Sequence, residues 1–459
     1  MFHAVKRRWH SPSGYKEVLV LAIPLVITTS AGSVQSFIDR MFLSWFDPNA
    51  LAATVPATLV TMTLTAVFIG LAGYVGVFVA QYYGAREDAQ IGPMVWQGFY
   101  TTGLSLLAVV PVYLYIIPLF ELIGHDPILQ VMEANYARIL ILTIPIAIIS
   151  ASVSGFFSGI GRTSVVMWSN LLITLVNCAL DYGLIFGRWG MPRMGVEGAA
   201  WATFIALLTG TLIQLWVFFA PRYRQAYSTL GGWHLNWTLF RRLLRFGLPV
   251  GFQFQMQILA WTLFVLLIGR IGVAALTAHS IAMNVFMLIV MPVAGMSIAV
   301  SVLVGQRLGA EDTESAERVT YSAIHLSMAF FVVAGLLLVT QPNWFTAPFV
   351  QGMTSEVYAS TIPLVDSLLS VVAIFCVFEA LSMMMAGALK GAGDTHFVAW
   401  AGILSSWLVL VLPTALLAYF WGGNLLWSWL FFGLSGVIMC LIHWLRFRTE
   451  KWKLLRITA

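Results

Sequence analysis

Residues 104–119, LSLLAVVPVYLYIIPL, run sixteen positions without a charged side chain, and residues 330–339, FFVVAGLLLV, do the same over ten. Runs of this kind set the character of the whole chain. Of its 459 residues 60% are hydrophobic and only 9% are charged, where a soluble domain carries about 25% charged residues. A chain this apolar cannot cover its own surface with polar groups, so its solvent over most of its length is lipid. Outer-membrane barrels read as short strands of alternating apolar and polar residues. The runs here are long and nearly continuous, which predicts helices whose backbone groups are satisfied internally.

About twelve spans are expected, centred near residues 30, 67, 107, 146, 176, 207, 257, 290, 330, 372, 408 and 435. Those near 30, 67, 257, 290 and 372 look longer than a bilayer needs, and so tilt or project beyond it. An even number of spans puts both termini on one side. Counted by this topology, 19 of the 24 Lys and Arg fall on the side of the termini, among them Lys6, Arg7, Arg8, Arg86, Arg162, Arg307 and Lys390. Only Arg40, Arg138, Arg188, Arg193 and Arg270 fall opposite. The positive-inside rule then makes both termini cytoplasmic, as for a multi-pass protein of a bacterial inner membrane. The basic, polar stretch Met1 to His10 runs into an ordinary span, so no cleavable leader is expected. The excess of basic residues belongs to topology, and no nucleic-acid partner is implied. Cys178, Cys376 and Cys440 sit in apolar runs with no metal-ligand spacing and read as buried small hydrophobes.

The two halves of the chain echo one another. VAQYYGARE at 79–87 returns as VGQRLGAED at 304–312, so that Gln81, Gly84 and Ala85 match Gln306, Gly309 and Ala310 at an interval of 225; Pro24 and Pro249 keep the same interval. Gly155, Gly159, Gly161 and Thr163 match Gly387, Gly391, Gly393 and Thr395 at an interval of 232. Two six-helix halves in the same orientation form a parallel repeat. The expected architecture is an all-α integral membrane protein of two pseudo-symmetric six-helix lobes around a central cleft: residues 1–221 the N-terminal lobe, 222–245 a cytoplasmic linker, 246–459 the C-terminal lobe.

Ionisable side chains within spans are costly and mark substrate or ion paths. Asp39 lies in the first span after Gln35. Asn177 and Asp181 lie one turn apart in the fifth span, on one face, and Glu379 lies in the tenth. None of these acids recurs in the other half: Asp39 falls opposite Phe264, Asp181 opposite Pro413, and Glu379 opposite Ala147. Asp39 reads either as a site residue or as the partner of Arg40, and Asp181 either as a site residue or as an interfacial one. If Asp39 and Asp181 converge, two carboxylates in a low dielectric take up a proton or a cation. Asn177 adds a hard oxygen suited to Na+, making Asp39, Asn177 and Asp181 a candidate sodium site. Pro24 interrupts the backbone bonding of the first span, which suggests bending coupled to charge at Asp39. Gln253, Gln257 and Trp261 in the seventh span and Asn284 in the eighth either line an aqueous cavity with aromatic walls or bond helix to helix. No phosphate loop and no HExxH motif is present, and no enzymatic activity or cofactor is expected.

The stretches PLVITTSAGSVQSFIDRMFLSW (24–45), VAQYYGARE (79–87), NCALDYGLIFG (177–187), GVEGAAWAT (195–203), AHSIAMN (278–284), VGQRLGAED (304–312) and GALKGAGDT (387–395) together resemble the multidrug and toxic compound extrusion family of prokaryotic antiporters. The resemblance implies export of organic, mostly cationic compounds in exchange for H+ or Na+ by alternating access, with no obligatory protein partner. It carries the family's N-lobe cation site onto Asp39, Asn177, Asp181 and Thr203, with the Ala199 carbonyl nearby. An acid that one branch places in helix 7 is replaced here by Gln257, whereas its helix 10 acid is matched by Glu379. Asp181 resembles the other prokaryotic branch, whose cation site is wholly N-lobe. A flippase for a lipid-linked or polar lipid precursor and, less favoured, a channel are the competing readings.

Overall fold

An apolar segment in lipid finds hydrogen-bond partners only in its own backbone, and the computed structural model is accordingly helical. It describes residues 9, 11–124, 126–350 and 355–457, among which there is no strand; Lys6, Arg7, Arg8 and His10 lie outside the described residues. Among the described residues, twelve helices are long and apolar enough to cross a membrane. The first six are α1 (Tyr15–Phe46), α2 (Ala53–Ala85), α3 (Asp88–Leu114), α4 (Leu129–Gly159), α5 (Thr163–Phe186) and α6 (Val196–Phe218). The second six are α7 (Trp237–Gly269), α8 (Val273–Gly309), α9 (Thr313–Thr340), α10 (Tyr358–Ala392), α11 (Thr395–Phe420) and α12 (Leu425–Arg448). The five spans expected to be over-long are the five longest, at 32 to 37 residues. The third span differs from expectation. The apolar run 104–119 is broken at Tyr115, where α3 ends and a separate short helix, Ile116–Ile123, begins, so α3 starts and centres earlier in the chain.

The repeat is visible as repeated geometry. α2 ends in a left-handed Arg86 (φ 59°) and α8 is followed by a left-handed Glu311 (φ 61°), 225 residues on. The closing bonds match as well: Arg86 N to Tyr83 O and Glu87 N to Tyr82 O in the first turn, Glu311 N to Leu308 O and Asp312 N to Arg307 O in the second. This paired bonding around one left-handed residue satisfies the last carbonyls of each helix. Close helix crossings recur too. A Cβ on Gly159 of α4 would stand 2.8 Å from the Gly76 carbonyl of α2, and a Cβ on Gly391 of α10 would overlap the Ser301 carbonyl of α8. Residues without side chains let the backbones approach, as in other lipid-embedded helix pairs.

The chain forms two compact units, Met1–Val26 with Gln253–Arg456 and Ile27–Phe252 with Ile457–Ala459. These bounds do not follow the sequence division at 221 and 246. The first turns of α1 pack with the second half of the chain, where Glu17 pairs with Arg307 at 2.5 Å and Gly295 meets Val26. The first half of α7 packs with the first half of the chain, Phe246 against Phe78 and Gly247 against Leu71. Each changeover lies two or three residues after a proline of the repeat, Pro24 or Pro249. The expected linker also differs. Residues 221–227 are a short helix, and 237–245 are already the start of α7. The loop between is fixed to α3: Trp96 Nε1 donates to Thr229 O (2.7 Å), Gln97 Nε2 donates to His234 O (3.3 Å), and Asn236 N donates to Gln97 Oε1 (3.2 Å).

Two outcomes are expected. Gly391→Val forces a branched side chain into the α8 backbone and lowers stability by about 1–3 kcal/mol, read as a depressed melting temperature in detergent; Gly103→Ala, at a site with open space, leaves it unchanged. Asp312 caps α9, accepting from Ser315 N at 3.0 Å, and the Ser315 side chain and N–H hold its carboxyl below the ordinary 3.8. A depressed native value means that the cap's contribution is complete above pH 3.8 and is lost as pH falls through the native value. Asp312→Ala therefore costs about 1 kcal/mol at neutral pH, and the gap to the parent chain closes in melts run towards pH 3.

Candidate functional site

Within the unit formed by Ile27–Phe252, α1, α5 and α6 bring five of the residues singled out in the sequence to one place, with Gln35 beside them. Asn177 and Asp181 share a face of α5 and both are fully buried; Asp39 of α1 is half-buried. One end of the Asn177 amide lies 2.8 Å from Asp39 Oδ1, 3.3 Å from Asp181 Oδ2 and 3.2 Å from Gln35 Nε2. The other end lies 3.4 Å from Thr203 Oγ1, and Thr203 in turn donates to the Ala199 carbonyl at 3.1 Å. The two carboxyls are also within hydrogen-bonding reach of each other. Arg40 is exposed and forms no ion pair with Asp39 among the described residues.

The amide can sit in two ways, and each has a chemical meaning. With its nitrogen towards the acids it donates to Asp39 and Asp181, the arrangement two bare carboxylates require. With its oxygen towards them, three oxygens face one another, and only a proton or a cation among them relieves the repulsion. Asp181 Oδ1 is buried with no hydrogen-bond partner among the described residues, which leaves one hard donor atom uncommitted. Carboxylate, amide, hydroxyl and carbonyl oxygens are the donor set of hard cations, so the residues fit Na+ as well as H+. Sequence reasoning missed Tyr136 of α4: it is buried, bonded to Thr58, and close to both carboxyls. A neutral hydroxyl in an apolar span carries no charge signal. The three cysteines are free, with Cys376 and Cys440 buried and Cys178, beside this site, only half-buried.

A second polar place lies in the other unit. A chamber of about 290 Å³ takes Gln253, Gln257 and Trp261 from α7 and Glu379 from α10. Gly436 of α12 makes room for the carboxylate, since a Cβ there would stand 3.3 Å from Glu379 Oε2. Asn284 is not part of this chamber: it is exposed and donates to Ser280 O at 2.7 Å on its own helix. The chamber also holds Lys390 and His443, which sequence reasoning passed over. Lys390, one of the basic residues counted on the side of the termini, sits in the last turn of its helix, Ser355–Ala392. Pro24 lies inside α1, which continues as helix through it.

With this geometry established, the chain can be set beside known proteins. A sequence profile of the MatE family matches residues 24–183 and 249–417, one segment in each half. The chain is 28% identical over 392 residues to a multidrug resistance protein NorM of Burkholderia vietnamiensis, covering 84% of this chain and 83% of that one. It is 27% identical over 447 residues to a probable NorM of Bradyrhizobium diazoefficiens, covering 96% and 94%. A solved structure described as MATE in complex with MaL6 superimposes with a TM-score of 0.87 at 20% identity, over 98% and 99% of the two chains. Profile, relatives and fold agree, and this twelve-helix membrane protein belongs to the MatE family of multidrug and toxic compound extrusion transporters.

Proposed function

We propose that the chain is a secondary active exporter of organic, mainly cationic compounds, driven by entry of H+ or Na+ and working by alternating access in a bacterial inner membrane with both termini cytoplasmic. The observation that carries this reading is the convergence of Asp39, Asn177 and Asp181 at hydrogen-bonding distances within one unit. The relatives' names, multidrug resistance protein NorM, point to the same activity.

The coupling follows from charge balance. Two carboxylates and an amide oxygen in an apolar bundle favour a bound proton or sodium ion. When the ion leaves, Asn177 turns its nitrogen to the acids and the local charge changes by one. A ligand shifts a conformational equilibrium only by its different affinity for the two states, and Asp39 supplies that difference because it sits on α1. Pro24, fifteen residues before it on the same helix, removes a backbone bond where α1 bends most easily. Thr203 and the Ala199 carbonyl complete the cation's oxygen shell, and Tyr136 lends a hydroxyl. No cofactor or partner protein enters this scheme; the substrates are small organic molecules and the surroundings lipid.

The test is dye efflux in proteoliposomes with a sodium or a pH gradient imposed separately. Asp39→Asn is expected to reduce gradient-driven efflux to background while inserting and purifying as the parent does; undiminished efflux from it would falsify the scheme. Where sodium drives efflux, Thr203→Val is expected to raise the half-saturating Na+ concentration about tenfold through loss of one oxygen ligand, with efflux driven by a pH gradient unchanged.

A further inference from the structure

The chamber in the second unit has a chemistry that the cation site does not use. Along α10, Glu379, Ser382, Ala386 and Lys390 share one face and line it. Glu379 and Lys390 are eleven residues apart, roughly 16 Å along the axis at 1.5 Å per residue. Side chains on a helix lean towards its N-terminus, so the long Lys390 stem leans back towards Glu379 and shortens that span. An acid and a base thus line one chamber from different turns of the same helix.

His443 of α12 lines the same chamber, fully buried. Its Nδ1 is 3.0 Å from Ser382 Oγ. In the tautomer where Ser382 donates to Nδ1, the proton is on Nε2, and Nε2 is buried with no partner among the described residues. Gln253 Oε1, also on the chamber wall, is likewise buried and unpartnered. Buried polar atoms left open in this way point to a ligand. The wall also carries aromatic rings, Trp261 and Phe286 packed on Phe432 on the Glu379 side. On α11, a π-helical stretch, Ser405–Val411, borders the chamber through Ser405, Ser406 and Leu410. Such turns are frequent at functional sites.

We propose that this chamber binds organic zwitterions, with Glu379 taking the ammonium and Lys390 and His443 the carboxylate of an aromatic amino acid-like molecule charged at its two ends. The proposal rests on the exporter reading and names a substrate class for it. Electrostatics decides between ligand types. A chamber that already holds one acid and one base gains a net charge when a monocation or a monoanion enters, and burying unbalanced charge is costly. A zwitterion adds none and pairs both ends. The volume, about 290 Å³, stands at the lower edge of the range for small organic ligands, roughly 300–1,000 Å³, and so fits a two-ring compound better than a larger dye.

The test uses 4′-(aminomethyl)biphenyl-4-carboxylic acid, its methyl ester as the monocation and its N-acetyl derivative as the monoanion, titrated calorimetrically into the purified full chain in detergent. The parent is expected to bind the zwitterion at least about tenfold tighter than either derivative. Lys390→Gln should weaken the zwitterion and the monoanion about tenfold and spare the ester; Glu379→Gln should weaken the zwitterion and the ester and spare the monoanion. The spared ligand in each case reports that the variant is folded. Equal affinity for zwitterion and ester, or an unchanged monoanion affinity in Lys390→Gln, overturns the proposal. Dye efflux by the parent separates the two readings. Efflux without zwitterion binding removes the substrate class alone; zwitterion binding without efflux under either gradient removes the exporter.

Discussion

A backbone amide inside a hydrocarbon layer must bond within its own segment, and most of this molecule follows from that demand. Helix is the only local structure on offer, so side chains decide only how helices meet. Where the backbones come closest, residues without side chains stand in the crossing, Gly159 over Gly76 and Gly391 over Ser301. Where a helix must stop, the chain repeats one solution, a left-handed residue that closes the last carbonyls at Arg86 and again at Glu311. These are the places where the two halves are most alike. What distinguishes the halves is held in the space left over, as polar groups that the scaffold itself does not need.

Those groups fall into two sets of different character. Asp39, Asp181 and Thr203 stand within 2.8 to 3.4 Å of the Asn177 amide, and the set presents only oxygen and amide atoms; such a set suits something as small as an ion. The chamber of Glu379, Lys390 and His443 is wider, mixed in sign, and walled by aromatic rings; such a set suits something with a body and two ends. Each set lies within one unit of the fold, so each can bind its own ligand with the groups it already holds.

Much of this was legible beforehand, for identifiable reasons. The spans were readable because lipid imposes a minimum apolar length. The pairing of Asn177 with Asp181 was readable because i and i+4 share a face whatever the tertiary structure. The break at Tyr115 was not, because Tyr115 and Pro118 sit in a run that carries no charged side chain. That Lys390 lines a chamber was not legible, because a charge at the end of an apolar run reads as a mark of topology, and only the neighbouring helices show what it faces. Tyr136 was missed because it is neutral, and Thr203 and Ala199 came from family resemblance rather than from any pattern of their own. The exchange of the first turns of α1 and α7 between units was hidden because it depends on long-range packing, and a continuous helix gives no sign in sequence of changing neighbours.

The π-helical stretch in α11 bears on how the halves should be aligned. Bonding from i to i+5 takes up more residues per turn than an α-helix does, so every residue after Val411 is rotated from where an unbroken helix would present it. α5 carries no such stretch. The fixed interval of 232 that matches Thr163 to Thr395 therefore stops describing equivalent faces partway along α11, and Pro413 is the counterpart of Asp181 in counting only. Ancestry and orientation part company within a single helix there, and a symmetry operator derived from the glycine turns will misplace whatever lies beyond it.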